Sequence, residues 1–277
     1  MRQNYVKLSA TKLYGHAWAL SLVLIALFGL NTMTMGATKK MKTEEFFSGL
    51  TLELVNAASR GDDRRVEELI KRGANPNAKG KDDMIPLVWV TFFAKNKQGT
   101  KALLANGADP NLKIRKDLSP MILAVKEKDP AFLKMFLESK GNPNIEVKDS
   151  SLLSIAAYED NWEHMRMLIA HGADINKKDS VNATLIYQLA LTNDYEQIYY
   201  LLQRGADYST KTTTGDSVLQ WIFNHKLDPK SEAFQWQQKC RVWLESHGIR
   251  NPGKKQKSKE EVDKLLNDIW ESSKNKK

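Results

Sequence analysis

One short phrase is written five times in this chain. "LIKRGANPN" at 69–77 returns as "LLANGADPN" at 103–111, "FLESKGNPN" at 136–144, "LIAHGADIN" at 168–176 and "LLQRGADYS" at 201–209. Its Asn or Asp falls at Asn75, Asp109, Asn142, Asp174 and Asp207, steps of 34, 33, 32 and 33 residues. A period near 33 is the signature of a helical solenoid. Each copy makes local sense: apolar residues end a helix, and a Gly (Gly73, Gly107, Gly172, Gly205) takes the left-handed position that stops it. Asn/Asp and Pro then turn the chain into a loop. In the third copy Lys140 holds the Gly place and Gly141 comes one residue late, which predicts a distorted or shifted cap.

The segments between the phrases read as helix pairs. In "SLLSIAAYEDNWEHMRMLIAHG" (151–172), Leu152, Leu153, Ile155, Ala156 and Ala157 fit a first short helix. "EDN" breaks it, and Met165, Met167, Leu168 and Ile169 mark the inner face of a second. "PLVWVTFF" with "TKALLANG", "PMILAV" with "FLKMFLESK" and "TLIYQLAL" with "IYYLLQRG" repeat the plan, and Asp62 and Asp129-Pro130 are good helix starts. No such pair buries its apolar face alone; stacked pairs do.

With these residues in register, the stretch 51–251 resembles the ankyrin repeat family. The family's Thr-Pro-Leu-His helix start is matched by "IPLV" (85–88), "SPMI" (119–122), "SLLS" (151–154) and "ATLI" (183–186), and its Gly-Ala-Asp-x-Asn loop by the five phrases. The resemblance implies an all-α ankyrin-repeat solenoid of five to six helix-turn-helix units carrying loop fingers. The family His is replaced by Val88, Ile122, Ser154 and Ile186. In the family that His ties neighbouring loops together, so looser fingers are expected. At the ends, "ELVNAASRGDDRRVEELIKRG" has the charged second helix of a cap. The last unit, from "TGDSVLQWIF" (214–223), carries an insertion, and Trp236 and Trp243 are expected to cover the end of its core.

Arg2, Lys7 and Lys12, the uncharged run "AWALSLVLIALFGL" (17–30) and the small residues of "TMTMGA" (32–37) form the three-part plan of a secretory signal peptide. Cleavage after Gly36 fits best; an uncleaved anchor is the rival reading. The chain then divides into a signal peptide (1–36), an N-terminal lead (37–50), the repeats (51–251), and a basic linker with a C-terminal amphipathic helix (252–277). In that helix Val262, Leu265, Leu266, Ile269 and Trp270 share one face, which either docks on the last repeat or binds something else. The formal charge is +9; loss of the three cations in 1–36 leaves +6. Export with a single Cys, Cys240, suits a periplasm and argues against nucleic acid as a partner.

No nucleophile turn, phosphate loop or metal motif occurs. His164 and His171 read as surface residues, Cys240 as a buried small residue, and no catalytic residue or cofactor is expected. What remains is a protein-binding surface. The fingers carry Lys79, Lys81, Lys113, Arg115, Lys116, Lys178 and Lys211, most densely in "LKIRKDLS" (112–119). The ends of first helices carry Phe92, Phe93 and Tyr158, where exposed aromatics would anchor a partner; the competing account is that the second repeat, one residue longer than 151–172, tucks one Phe into the core.

The combination of signal peptide, "EEFF" lead (44–47), divergent repeats and extended last unit resembles a group of periplasmic ankyrin proteins of Gram-negative bacteria. These neutralise phospholipase (lipase) effectors of the type VI secretion system, so the resemblance implies an immunity protein whose partner is a cognate lipase effector. A periplasmic scaffold or stress-protection protein with an endogenous partner is the alternative. Membrane contact through the signal segment or the C-terminal helix is a third reading.

Overall fold

The computed structural model describes residues 41–115, 118–148 and 150–250, with 263, 264, 267 and 268. The expected signal peptide (1–36), most of the expected linker and C-terminal helix (252–277), and Lys116 lie outside the described residues. The described chain falls into two compact units, one ending at Ala173 and the other beginning at Asp174.

The first unit opens with a single 3-10 turn, Thr43–Glu45, and then stacks four helix pairs. These are α1 (Gly49–Arg60) with α2 (Asp63–Lys71), and α3 (Pro86–Val88, running on as a π-helical segment Trp89–Phe93) with α4 (Lys97–Ala105). Then come α5 (Pro120–Lys126) with α6 (Pro130–Glu138), and α7 (Leu152–Tyr158) with α8 (Trp162–Ala170). A two-residue ribbon of β1 (Glu146–Val147) and β2 (Ser150–Ser151), antiparallel, precedes α7. The second unit holds α9 (Leu185–Thr192) with α10 (Tyr195–Leu202), and α11 (Val218–Asn224) with α12 (Glu232–Ser246). The fold is the all-α helical-repeat class that the period implied.

The sequence signals work as physical devices. The first residue of each repeated phrase (Leu69, Leu103, Phe136, Leu168, Leu201) is fully buried. Asp62, Asn96, Asp129 and Ser151 each accept a hydrogen bond from a first-turn amide of the helix they precede, satisfying donors that the helix cannot. The first unit's outer end is polar, with Arg65 bridging Glu53 and Glu68.

The third cap is neither distorted nor shifted. Lys140 takes the left-handed conformation itself, at φ 65°, where the other copies have Gly at φ 83–96°. Gly141 N–H then bonds Phe136 O at 2.8 Å, as Ala108 bonds Leu103 O at 2.9 Å and Ala173 bonds Leu168 O at 3.0 Å. The displaced Gly answers to packing: a Cβ on Gly141 would lie 2.5 Å from Met121 Sδ and 2.6 Å from Phe136 O.

Nor are the fingers loose for want of the family His. The last Asn of each of the first four phrases ties its loop to the next. Asn77 donates to Gly107 O at 2.8 Å and accepts from Asp109 N at 2.8 Å. Asn111 does the same with Lys140 O at 2.9 Å and Asn142 N at 2.6 Å, and Asn144 donates to Gly172 O at 3.0 Å. In the second unit Asn176 links to Gly205 O at 3.3 Å and Asp207 N at 2.7 Å. The aligned Asn75, Asp109, Asn142, Asp174 and Asp207 each fold their own loop by accepting from the amide two residues on.

At the C-terminal end, side chains of α12 add to the cap of α11, whose His225 N–H bonds Trp221 O at 3.2 Å. Gln237 donates to Trp221 O and His225 O at 3.1 and 2.9 Å, and Arg241 donates to Ile222 O and Phe223 O. Gln237, Cys240 and Leu244 form the buried face, while Trp236 and Trp243 are partly buried, Trp236 against Tyr199 with ring centroids 5.8 Å apart. Among the described residues no helix is long and apolar enough to cross a membrane.

Two outcomes follow in chemical unfolding. Lys140→Gly raises stability by about 0.5–1 kcal/mol, because relief of a left-handed L-residue (~1–2 kcal/mol) outweighs the added chain entropy of Gly. Asn111→Ala lowers it by about 1–2 kcal/mol through two lost inter-loop bonds at a partly wetted site, with faster hydrogen exchange at the Asn142 amide.

Candidate protein-binding surface

The fingers are small hairpins. Ile114 pairs Leu118, Lys178 pairs Thr184 and Lys211 pairs Ser217 through single antiparallel bridges, so Lys178 and Lys211 project from ordered turns. Lys79, Lys81, Lys113, Lys178 and Lys211 are all exposed. The basic character is partly neutralised within the first unit: Arg115 meets Asp82 at 3.2 Å and Lys79 meets Asp83 at 3.7 Å. The adjacent carboxylates Asp82 and Asp83 sit at φ 58° and 59° on one finger, so the turn that exposes Lys81 also supplies counter-charges. Pairs this exposed contribute little to stability and are readily broken by a competing acidic group.

The aromatic positions divide. Tyr158, the last residue of α7, is 60% exposed and is a large outward ring of the described chain. Phe92 is not an exposed anchor: only 5% of it is accessible, and its ring lies 6.3 Å from those of Phe132 and Phe136. The reason is the extra residue in this repeat, taken up as the π-helical segment Trp89–Phe93, which shifts the helical phase so that Phe92 turns inward. Phe93 is half-buried and stacks on Trp89 at 5.2 Å with 15° between planes.

Sequence reasoning missed what completes that cluster. Phe46 and Phe47, from the N-terminal lead, are buried against Trp89 with ring centroids 5.4 and 6.1 Å away. Lys81 N–H bonds Phe46 O at 2.9 Å, and Gly80 is required there, since a Cβ would fall 2.2 Å from that oxygen. The "FF" pair directly before a charged cap unit was the available signal. It fastens the lead to the first finger, and Lys81 is thereby set by the lead as well as by its own turn.

Behind this surface, the turns between helices are stitched from unit to unit. Lys95 pairs Glu127 and Lys97 meets Asp129 at 2.7 Å, while Asn161 donates to Val125 O at 3.3 Å. The Lys97 ammonium, and then the Ala131 amide, hold the Asp129 carboxyl below the usual carboxylate range. Both lysines also lie over the Phe132 ring, at 5.9 and 6.0 Å from its centroid.

His171 is exposed, as expected, with Nδ1 2.8 Å from Met167 O. His164 corrects the surface reading: it is 2% exposed, sealed in the core face of α8, and burial lowers its imidazole pKa. The polar residue is masked from a pattern-based reading because its neighbours Trp162 and Glu163 begin the helix amphipathically. Cys240 is buried; its thiol donates to Tyr195 O at 3.4 Å and burial pushes its pKa up. Among the described residues no group of three or more His, Cys, Asp or Glu is placed to hold a metal ion.

The profile of ankyrin repeats, in three copies, matches residues 87–179 and 121–212. An ankyrin repeat protein of fowlpox virus (strain NVSL) is 31% identical over 86 residues, 31% of this chain and 20% of the viral protein. An ankyrin repeat protein of vaccinia virus (strain Copenhagen), and another of variola virus, are each 31% identical over 86 residues, 15% of their length. The chain thus spans a fifth or less of these relatives. Ankyrin repeats are typically non-catalytic and mediate binding to protein partners. Residues 87–212 thus match the ankyrin-repeat profile, and the capped helix pairs and Asn-tied fingers give them the architecture of a helical-repeat array.

Proposed function

We propose that this protein is an immunity protein: exported to the periplasm, it captures a phospholipase effector of the type VI secretion system and blocks it. The observation that carries the binding half of this reading is Tyr158, a ring 60% exposed at the end of α7 on an array whose fingers are held in fixed register. A rigid aromatic costs little entropy to bury and has a polar tip for the rim of a contact. A lipase must expose an apolar entrance for acyl chains, and an outward tyrosine suits the cover of such a mouth. The charged start and apolar run at 17–30 support export, and the resemblance of the whole chain to periplasmic immunity proteins supports the partner class.

Deletion of the gene is expected to sensitise cells to sister cells that carry the secretion system, with rescue only by a version retaining 1–36. The effector should co-purify from the periplasm. Unchanged survival in competition, with an endogenous protein recovered instead, would replace immunity with the scaffold reading.

Two substitutions separate surface from core. Tyr158→Ala should leave the melting temperature within about 2 °C and weaken the effector complex by about 2 kcal/mol, roughly thirtyfold, mainly through faster dissociation. Phe92→Ala should instead cost about 3–5 kcal/mol of stability, as a buried ring does, and bind normally where it remains folded.

A further inference from the structure

We propose that His164 is a proton-sensitive joint: acidification charges a histidine sealed between repeats and opens the α7–α8 pair.

The place is built for an apolar side chain. His164 stands four residues before the buried Leu168, and the same position in the preceding unit is Phe132, four before Phe136, equally buried. Neither ring nitrogen of His164 has a hydrogen-bond partner. The Val125 carbonyl, which accepts from Asn161 at 3.3 Å, is near enough to favour the charged ring only weakly. An unpaired imidazole in such a slot is held neutral, and a charge there is costly until water or a carboxylate reaches it.

The surrounding charges set how the joint responds. On its own helix Glu163 acts on the ring; Arg166 lies one turn on, with a partner of its own. Helix α7, packed against α8, carries no charged residue and ends in Tyr158. From the turn leading into α6 come Glu127 and Asp129, whose negative charges are met by Lys95 and Lys97. On α6 itself Lys134 and Glu138 face each other at 4.0 Å. Burial outweighs the carboxylates, so the folded state binds its proton later than the unfolded chain does.

The sign follows from linkage. With the folded pKa below the ordinary value of 6.5, the stabilisation is complete above about pH 6.5 and is lost as pH falls toward the folded pKa. Opening frees the ring to take a proton, so the opening constant rises by up to about tenfold per pH unit in that window. Since Tyr158 ends α7, acid would also loosen the proposed contact; that consequence alone rests on the immunity reading.

The test uses the full mature chain without partner. Amide hydrogen exchange over 152–170, corrected for intrinsic rates, is followed from pH 7.5 to 5.0 beside thermal melts. The wild type should lose protection in α7 and α8 selectively as pH falls below 6.5, and His164→Leu should remove most of that slope while leaving other helices unchanged. Equal slopes in both proteins would overturn the proposal. If His164→Leu does not fold, the wild-type imidazole is titrated by NMR: a midpoint well below 6.5 supports the joint, and one at or above 6.5 refutes it. Loss of the slope with unchanged pH dependence of effector affinity would leave the joint standing and fault the Tyr158 contact.

Discussion

Helices of seven to nine residues carry too little apolar surface to fold in isolation, so everything in this structure depends on holding successive pairs in register. The device is the loop-end asparagine. Asn77, Asn111 and Asn144 in the first unit and Asn176 in the second reach a carbonyl in the next repeat, and three of them also accept the amide two residues beyond that carbonyl. Because both ends of the contact belong to the same repeated phrase, a change of period would break it, which explains why steps of 32 to 34 persist while side chains between them vary.

That coupling also explains what was legible in the sequence. The helix pairs, their starts at Asp62 and Asp129, and the left-handed stops all arise from residues within a turn of each other, and such local rules transfer directly from sequence. The third stop was misread because the missing Gly looked like a missing cap. In fact the backbone demand is met at Lys140, and the Gly has moved to Gly141 under a steric demand from Met121, a residue twenty positions away. A local pattern cannot display a distant clash.

The candidate surface was less legible for the same reason. Phe92 and Phe93 read as an exposed pair from their place at the end of a first helix, but the extra residue of this repeat is absorbed as a π-helical segment that turns Phe92 inward, as the competing account has it. The energetic logic is plain: Phe92 gains Phe132 and Phe136, Phe93 gains Trp89, and Trp89 is sealed by Phe46 and Phe47 from the lead. Nothing in the repeat's own residues specifies that last contact. The cations fared differently: their exposure was legible, but their neutralisation was not, because Arg115 finds Asp82 on another finger.

A repeat array therefore separates two kinds of information. Positions that recur (the buried Leu or Phe, the left-handed stop, the Asx turn, the loop-end Asn) are consumed by stacking and leave little freedom for recognition. Recognition must lie where repeats differ while the backbone stays the same. Tyr158 satisfies that condition on the outside, since it ends a first helix at a point where the preceding α5 ends in Lys126. His164 satisfies it on the inside, where Phe132 fills the equivalent slot. Both departures fall in one helix pair, α7–α8, so the unit with the most outward aromatic is also the one whose core carries an unpartnered proton acceptor. Uniform stacking would make that pair as firm as its neighbours. In the proposed joint the histidine makes its firmness conditional on pH, in the same pair as the tyrosine proposed to meet a partner.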